Sequence, residues 1–253
     1  DVAAAGFKPP YAGFTGSLAQ ALRPFPQYQG IGTKQSANIG NMTYHSLQAK
    51  VEKRFSHGLF FLTSYTWSKT LTDSNSALGG FFSPGARDNY NRHLEKALSV
   101  YDTPHRLVTA FNYELPIGPG KPFLNVKGAA GKVLQGWQVN GIVSYQSGHP
   151  IQIGYNNTLP LFNSGNTPNS VAGQPVELVS KSNFDPNKNV LLNVNAFANP
   201  APNTFGTSGQ VLPNARDFPS FNEDLGIMKR TAIAEKINLE FRFEMFNAFN
   251  RVV

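Results

Sequence analysis

The sequence contains no cysteine. That excludes disulfide staples, thiolate metal centres and a cysteine nucleophile. Charge is also scarce: Asp, Glu, Lys and Arg make up 15% of the 253 residues, well below the usual quarter of an ordinary soluble domain. No run of 18 apolar residues occurs, which excludes a membrane-spanning helix. It leaves spanning strands open, because each needs only about ten residues and half of them can be polar. The net charge of +7 is scattered without Lys/Arg clusters, so nucleic acid is not an expected partner. The chain begins at Asp1 with no leader segment; a leader removed in processing, or a chain excerpted from a longer one, is the expectation.

Chemical motifs are equally thin. None of His45, His57, His93, His105 and His149 has a second ligand at metal-site spacing, so they read as structural or interfacial and no metal is expected. Gly118-Pro119-Gly120-Lys121 lacks the first glycine and the closing Ser/Thr of a phosphate loop, and reads as a turn. No G-x-S-x-G elbow is present. No catalytic residue and no cofactor are therefore expected, and the chain does not read as an enzyme.

What is abundant is aromatic and small polar: 20 Phe, 9 Tyr and 23 Gly, with many Ser and Asn. Their order is informative. In Ile237 to Met245, Ile237, Leu239, Phe241, Phe243 and Met245 alternate strictly with Asn238, Glu240, Arg242 and Glu244. Period two puts one set on each side of a strand, whereas a helix would mix them. The pattern recurs over Tyr44 to Phe55, Leu59 to Lys69, Arg106 to Leu115 and Trp137 to Ser147. Weaker strands are expected near Gln27 to Gln35 and Glu223 to Arg230. Several runs reach about ten residues, longer than the usual globular strand and matched to a tilted strand crossing hydrocarbon.

The connections alternate in length. Ser56-His57-Gly58 is short, about 70–105 is long, about 116–136 is intermediate, about 148–222 is very long, and about 231–236 is short again. All long loops then fall on one side, as extracellular loops do in transmembrane barrels. Tyr65, Trp67 and Tyr145 fall near one end of the strands and Tyr113 and Trp137 near the other, as two interfacial girdles would. The expected fold is all-β: an antiparallel transmembrane β-barrel segment of about 7–8 long strands in the bacterial outer membrane. Residues 1–22 read as a loop or linker and 23–253 as the barrel portion. A soluble β-sandwich would share the alternation but not the strand length, loop sidedness or girdles.

Several stretches together resemble the C-terminal barrel of TonB-dependent transporters, specifically the Oar-like group. They are Arg23 to Tyr28, Tyr44 to Gln48, Glu52 to Gly58, Ser64 to Lys69, His105-Arg106, Tyr113 to Gly118, Gly136 to Gln138, Gln146 to Pro150 and Phe241 to Asn250. The resemblance implies a 22-stranded barrel around a plug domain. It also implies energy supplied by TonB, membrane lipid as the surrounding partner, and import of a scarce solute. Plug and TonB box are not visible here, so strands and domains beyond both termini are expected. The alternative is a non-transporting surface barrel of adhesion or secretion type.

Within that frame Lys50, Glu52, Arg106, Asn112, Gln138, Asn140, Glu240 and Arg242 would face the lumen and contact plug, water or solute. Tyr90, Asn91 and Arg92, in the segment Asp88 to His93, are loop candidates for gripping a ligand. The stretch from Tyr155 to Asn214 would be a lid or a solvated loop.

Overall fold

The computed structural model describes residues 6–28, 39–74, 86–88, 91–156, 166–202, 204–234 and 237–251. The strands are β1 (Met42–Ser56), β2 (Leu59–Thr72), β3 (Ala97–Leu98), β4 (His105–Glu114), β5 (Trp137–Gln146), β6 (Pro150–Gln152), β7 (Asn169–Ser170), β8 (Phe197–Ala198), β9 (Val211–Arg216), β10 (Ser220–Ala234) and β11 (Ile237–Met245). Two short helices, α1 (Leu18–Ala21) and α2 (Gly128–Leu134), accompany them. No described helix is long and apolar enough to cross a membrane.

The chain divides into two compact units. The first comprises Thr43–Thr70, Tyr101–Pro150 and Arg216–Val253. It holds the long strands, ordered β1-β2-β4-β5-β10-β11, with β2–β4, β4–β5, β5–β10 and β10–β11 paired antiparallel. β1 and β2 join through His57 and Gly58, whose φ angles of 51° and 78° give the left-handed pair that a two-residue hairpin turn needs.

Register carries the alternation of each strand across the sheet. One side presents Leu59, Tyr113, Val139, Ile227 and Phe243 as a single row, and Tyr65, Leu107, Tyr145 and Phe221 as another. The other side presents Phe60, Asn112, Asn140, Gly226 and Glu244. The apolar side is not a core: Leu239, Phe241, Phe243 and Trp67 are each more than half exposed.

The second unit comprises Asp1–Met42, Leu71–Val100 and Ile151–Ala215. Its small core is Leu98, Ala196, Val211, Leu212 and Ala215, accompanied by buried polar residues such as Glu95, Asn166, Thr167, Asn193 and Ser208. β3 pairs with the end of β2, β6 with β9, and β7 with β8.

Four expectations need correction. β10 is not a weak strand: it runs 15 residues, because its neighbours β5 and β11 supply ladder partners along nearly its whole length. Residues 231–234, expected in the connection, accordingly belong to β10. The stretch 116–136 contains α2, and the described residues 166–202 and 204–214 form a hydrogen-bonded unit rather than solvated chain. The described residues hold six long strands; the further strand expected at Gln27 to Gln35 lies largely outside them, with Gln27 and Tyr28 in a turn and a bend.

Candidate functional site: the polar wall and its aromatic ends

On the polar side of the sheet, hydrogen bonds run from strand to strand. Asn112 Nδ2 donates to Gln138 Oε1 at 3.2 Å, and Gln138 Nε2 to Glu114 Oε1 at 3.5 Å. Within single strands, Glu240 pairs with Arg242 on β11 at 2.5 Å, and Lys50 with Glu52 on β1 at 3.2 Å. Arg106 stands in register with Thr66 and Gln146 and is exposed. Asn140 lies over Gly226, where an added Cβ would meet Asn140 Oδ1 at 2.3 Å. The structure thus places Arg106, Asn112, Gln138, Asn140, Glu240 and Arg242 on one wall, as their sequence parity predicts.

The Tyr and Trp side chains gather toward the two ends of the apolar face. Tyr65 stacks on His105, and its hydroxyl meets His105 Nδ1 at 2.8 Å. Trp67 pairs with His105 across the ladder. Tyr145 packs edge-on against Phe221 at 5.2 Å. At the other end Tyr113 sits between Leu59 and Val139, and Trp137 Nε1 donates to the Val133 carbonyl at 2.9 Å. From the level of His105 to that of Leu115 is ten residues, roughly 34 Å along a strand. At a tilt near 40° that is about 26 Å along the axis, the height of an outer-membrane apolar band.

On β10 two charges interrupt the apolar face, and both have hydrogen-bond partners. Lys229 Nζ donates to the carbonyls of Lys132, Val133 and Gln135 at the end of α2 and lies 5.1 Å from the Trp137 ring centre. The apolar stem stays on the face while the ammonium reaches helix-end carbonyls and an aromatic ring. Glu223, 2% exposed, accepts from Tyr145 Oη at 2.8 Å and from Arg251 Nε at 2.9 and 3.0 Å. Sequence reading missed this cluster. The available signal was parity: Phe221, Glu223, Leu225, Ile227 and Lys229 share one phase, so a carboxylate there is out of place.

A family model for an outer membrane beta barrel domain matches residues 3–253. The chain belongs to this family. No curated protein and no solved structure matches it. The barrel is a protein of the bacterial outer membrane, and its apolar face, with aromatic ends and exposed Phe and Leu, is the lipid face. The polar wall faces the lumen.

In the loop unit of the barrel, Arg92 Nη2 donates to the Asp73 carbonyl at 2.8 Å and lies 3.6 Å from Asp73 Oδ1. Asn91 caps the turn Arg92–Glu95 through its backbone only. Tyr90 lies outside the described residues. Among them no group of three or more potential metal ligands occurs.

Asp73 also accepts from the Asn41 backbone N–H at 2.7 Å and from Asn41 Nδ2 at 3.2 Å. Desolvation alone would raise its pKa; the Asn41 hydrogen bonds and the Arg92 charge together outweigh it and hold the carboxyl below the usual aspartate value. Asp185 is lowered likewise, by Lys188 and by the Asn187 N–H that closes its turn. A depressed folded pKa gives stability that is full above the unfolded value, about 3.9, and is lost as pH falls through the folded one. The Asn41–Asp73–Arg92 tie therefore holds at neutral pH and releases only in strong acid. Hydrogen exchange at the Asn41 amide checks this. In Asp73→Asn the acid-dependent step at that amide disappears; a wild-type step near neutral pH would contradict the assignment.

Proposed function

We propose that the barrel is the wall portion of an Oar-like TonB-dependent receptor that imports a scarce solute, of siderophore, carbohydrate or peptide class. The observation that carries this reading is where the Oar-like stretches fall. Ser64 to Lys69 lies in the last part of β2, His105-Arg106 at the start of β4, Gly136 to Gln138 at the start of β5, Gln146 to Pro150 at its end, and Phe241 to Asn250 at the end of β11. Strand ends are where girdle, loop and lumen mouth meet, so the resemblance concentrates where such a receptor has its specific structure.

On this reading the chain supplies wall and extracellular loops, a plug elsewhere in the protein fills the lumen, and TonB pulls on the plug. The wall residues Lys50, Glu52, Arg106, Asn112, Gln138, Asn140, Glu240 and Arg242 contact plug, water or solute and carry no catalysis. Deleting the plug region from the full-length protein abolishes energy-dependent uptake while the barrel still inserts, as judged by its heat-modifiable migration. Uptake that continues unchanged, and still responds to the membrane potential, sinks the reading. Surface adhesion that persists with no uptake at all favours the adhesion barrel.

A further inference from the structure

The connection from β4 to β5 lies at the same end of the sheet as the β1–β2 turn, since the Glu114 N–H donates to the Gly58 carbonyl at 2.7 Å. At this periplasmic end a barrel needs only a short turn. The chain instead builds a folded lobe. Ile117 and Phe123 form a bridge, and the Phe123 N–H donates to the Pro116 carbonyl at 3.1 Å. The Gly120 N–H donates to Asn125 Oδ1 at 2.9 Å. A Cβ on Gly131 would meet the Val126 carbonyl at 2.3 Å and Pro119 Cγ at 2.7 Å, so α2 packs directly on the turn before it.

The surface of this lobe is apolar and basic. Phe123, Leu124 and Val133 are each more than half exposed, and Val126 is exposed beside them. Leu124 has φ 49°, a conformation that a bulky residue rarely adopts, with its side chain in the open. Pro116 to Gly136 carries Lys121, Lys127 and Lys132 and no Asp or Glu. Lys121 lies 3.7 Å from Glu114 at the end of β4. Lys127 and Lys132 have no ion pair among the described residues.

Two contacts fix the side of the sheet on which α2 ends. Trp137 and Lys229 stand opposite each other on the lipid face. Trp137 Nε1 donates to the Val133 carbonyl, and Lys229 Nζ to the carbonyls of Lys132, Val133 and Gln135. The end of α2 is thereby held at girdle level on the side that meets lipid, not over the lumen. Open apolar side chains flanked by lysines at that level suit a segment lying in a headgroup layer.

We propose that residues 116–136 are a foot resting in the periplasmic leaflet of the outer membrane. Phe123, Leu124, Val126 and Val133 enter the upper acyl chains, and Lys121, Lys127 and Lys132 meet the phosphates of anionic phospholipids. The contact continues the lipid face beyond the last ladder pair, and the charge of the lobe is opposite to that of such lipids. The foot rests on the lipid-face assignment and not on solute uptake, so either can fail while the other stands.

The test reconstitutes the full-length protein into vesicles of phosphatidylcholine, alone or with about a third phosphatidylglycerol. This chain has no cysteine, so a nitroxide at Val126→Cys reports on one position once any cysteine elsewhere in the protein is replaced. Asn187→Cys, at an exposed turn, is the control. Collisions with oxygen, which concentrates in hydrocarbon, are compared with collisions with a water-soluble nickel chelate. The oxygen-to-nickel ratio at Val126 is expected to exceed that at Asn187 by roughly fivefold or more, and to rise with phosphatidylglycerol. Lys121→Gln/Lys127→Gln/Lys132→Gln abolishes the rise, and Phe123→Ser/Leu124→Ser brings the ratio toward the control. A label open to nickel in both vesicle types overturns the proposal. So does a label sheltered from both reagents, which shows that protein covers the lobe. A ratio that phosphatidylglycerol leaves unchanged overturns the anionic-lipid assignment. Heat-modifiable migration confirms that each variant is folded.

Discussion

Replacing Arg87 with alanine opens the loop unit, at a cost of about 3–5 kcal/mol. Arg87 and Glu95 are an ion pair at 3.2 Å whose side chains are 5% and 4% exposed. Glu95 Oε1 also takes the Arg87 backbone N–H at 2.8 Å. Nη1 reaches Thr167 Oγ1 at 3.1 Å, the Gly206 carbonyl at 2.9 Å and the Ser208 carbonyl at 3.1 Å, while Nη2 donates to the Leu94 carbonyl. One guanidinium thus ties together segments 80 and 121 residues apart in sequence. Alanine leaves a buried carboxylate without its counter-charge and several carbonyls without a donor, each of which costs free energy in a dry site.

The charge alone is not the whole effect. Arg87→Lys keeps a cation but cannot serve five acceptors from one plane, so an intermediate loss is expected. Arg87→Met with Glu95→Leu removes the charges together and costs less than Arg87→Ala. Exchange of the Gly206, Thr207 and Ser208 amides reports the result, because they donate to Asn166 Oδ1, Asn169 Oδ1 and the Pro168 carbonyl. Their protection falls by roughly 10²–10³-fold in Arg87→Ala if the unit opens as one piece. Unchanged protection would show that Arg87 is not the tie.

The parts that sequence could reveal are those that rest on local periodicity. Ile237 to Met245 is β11 to the residue, and the runs from Arg106 and Trp137 match β4 and β5 within one residue at either end. Period two survives because each strand meets lipid on one side and the lumen on the other, so every residue position obeys the same rule. The same parity places Asn112, Gln138, Asn140, Glu240 and Arg242 on the wall. β10 was read as weak because Glu223 and Lys229 break its apolar phase; their partners, Arg251 and the end of α2, lie far away in sequence. α2, Gly128–Leu134, has small residues and no apolar stripe, and it is held at its end by Lys229. The long-range part of the Arg87 network has no local signature, since Thr167, Gly206 and Ser208 lie 80 to 121 residues away and two of them accept through backbone carbonyls. For the same reason Arg92, read as a loop residue for gripping ligand, could not be seen to reach Asp73.

The last consequence concerns the carboxylate on the lipid face. Arg251→Ala destabilises the barrel by about 2–3 kcal/mol, and Glu223→Leu by less. Glu223 is almost fully buried, whereas the Arg251 side chain is 46% exposed and rests on the Phe221 and Phe249 rings at 5.6 and 5.8 Å. Without Arg251, a charge at the edge of the hydrocarbon keeps only the Tyr145 hydroxyl and whatever water enters. The loss is below the full value for a buried pair because the departing side chain is half solvated. Without Glu223, leucine restores the apolar phase of β10, and Arg251 turns to water. The asymmetry separates this arrangement from a surface ion pair, where both deletions cost at most about 1 kcal/mol. It also says what Arg251 does: with the Ala248 N–H on the Glu223 carbonyl and the Asn247 N–H on Asp224 Oδ1, it fastens the turn after β11 to the start of β10. Urea unfolding in detergent of the two single variants and the double variant gives the coupling directly. A double variant more stable than Arg251→Ala is expected; Glu223→Leu costing as much as Arg251→Ala, with coupling near zero, would exclude the latch.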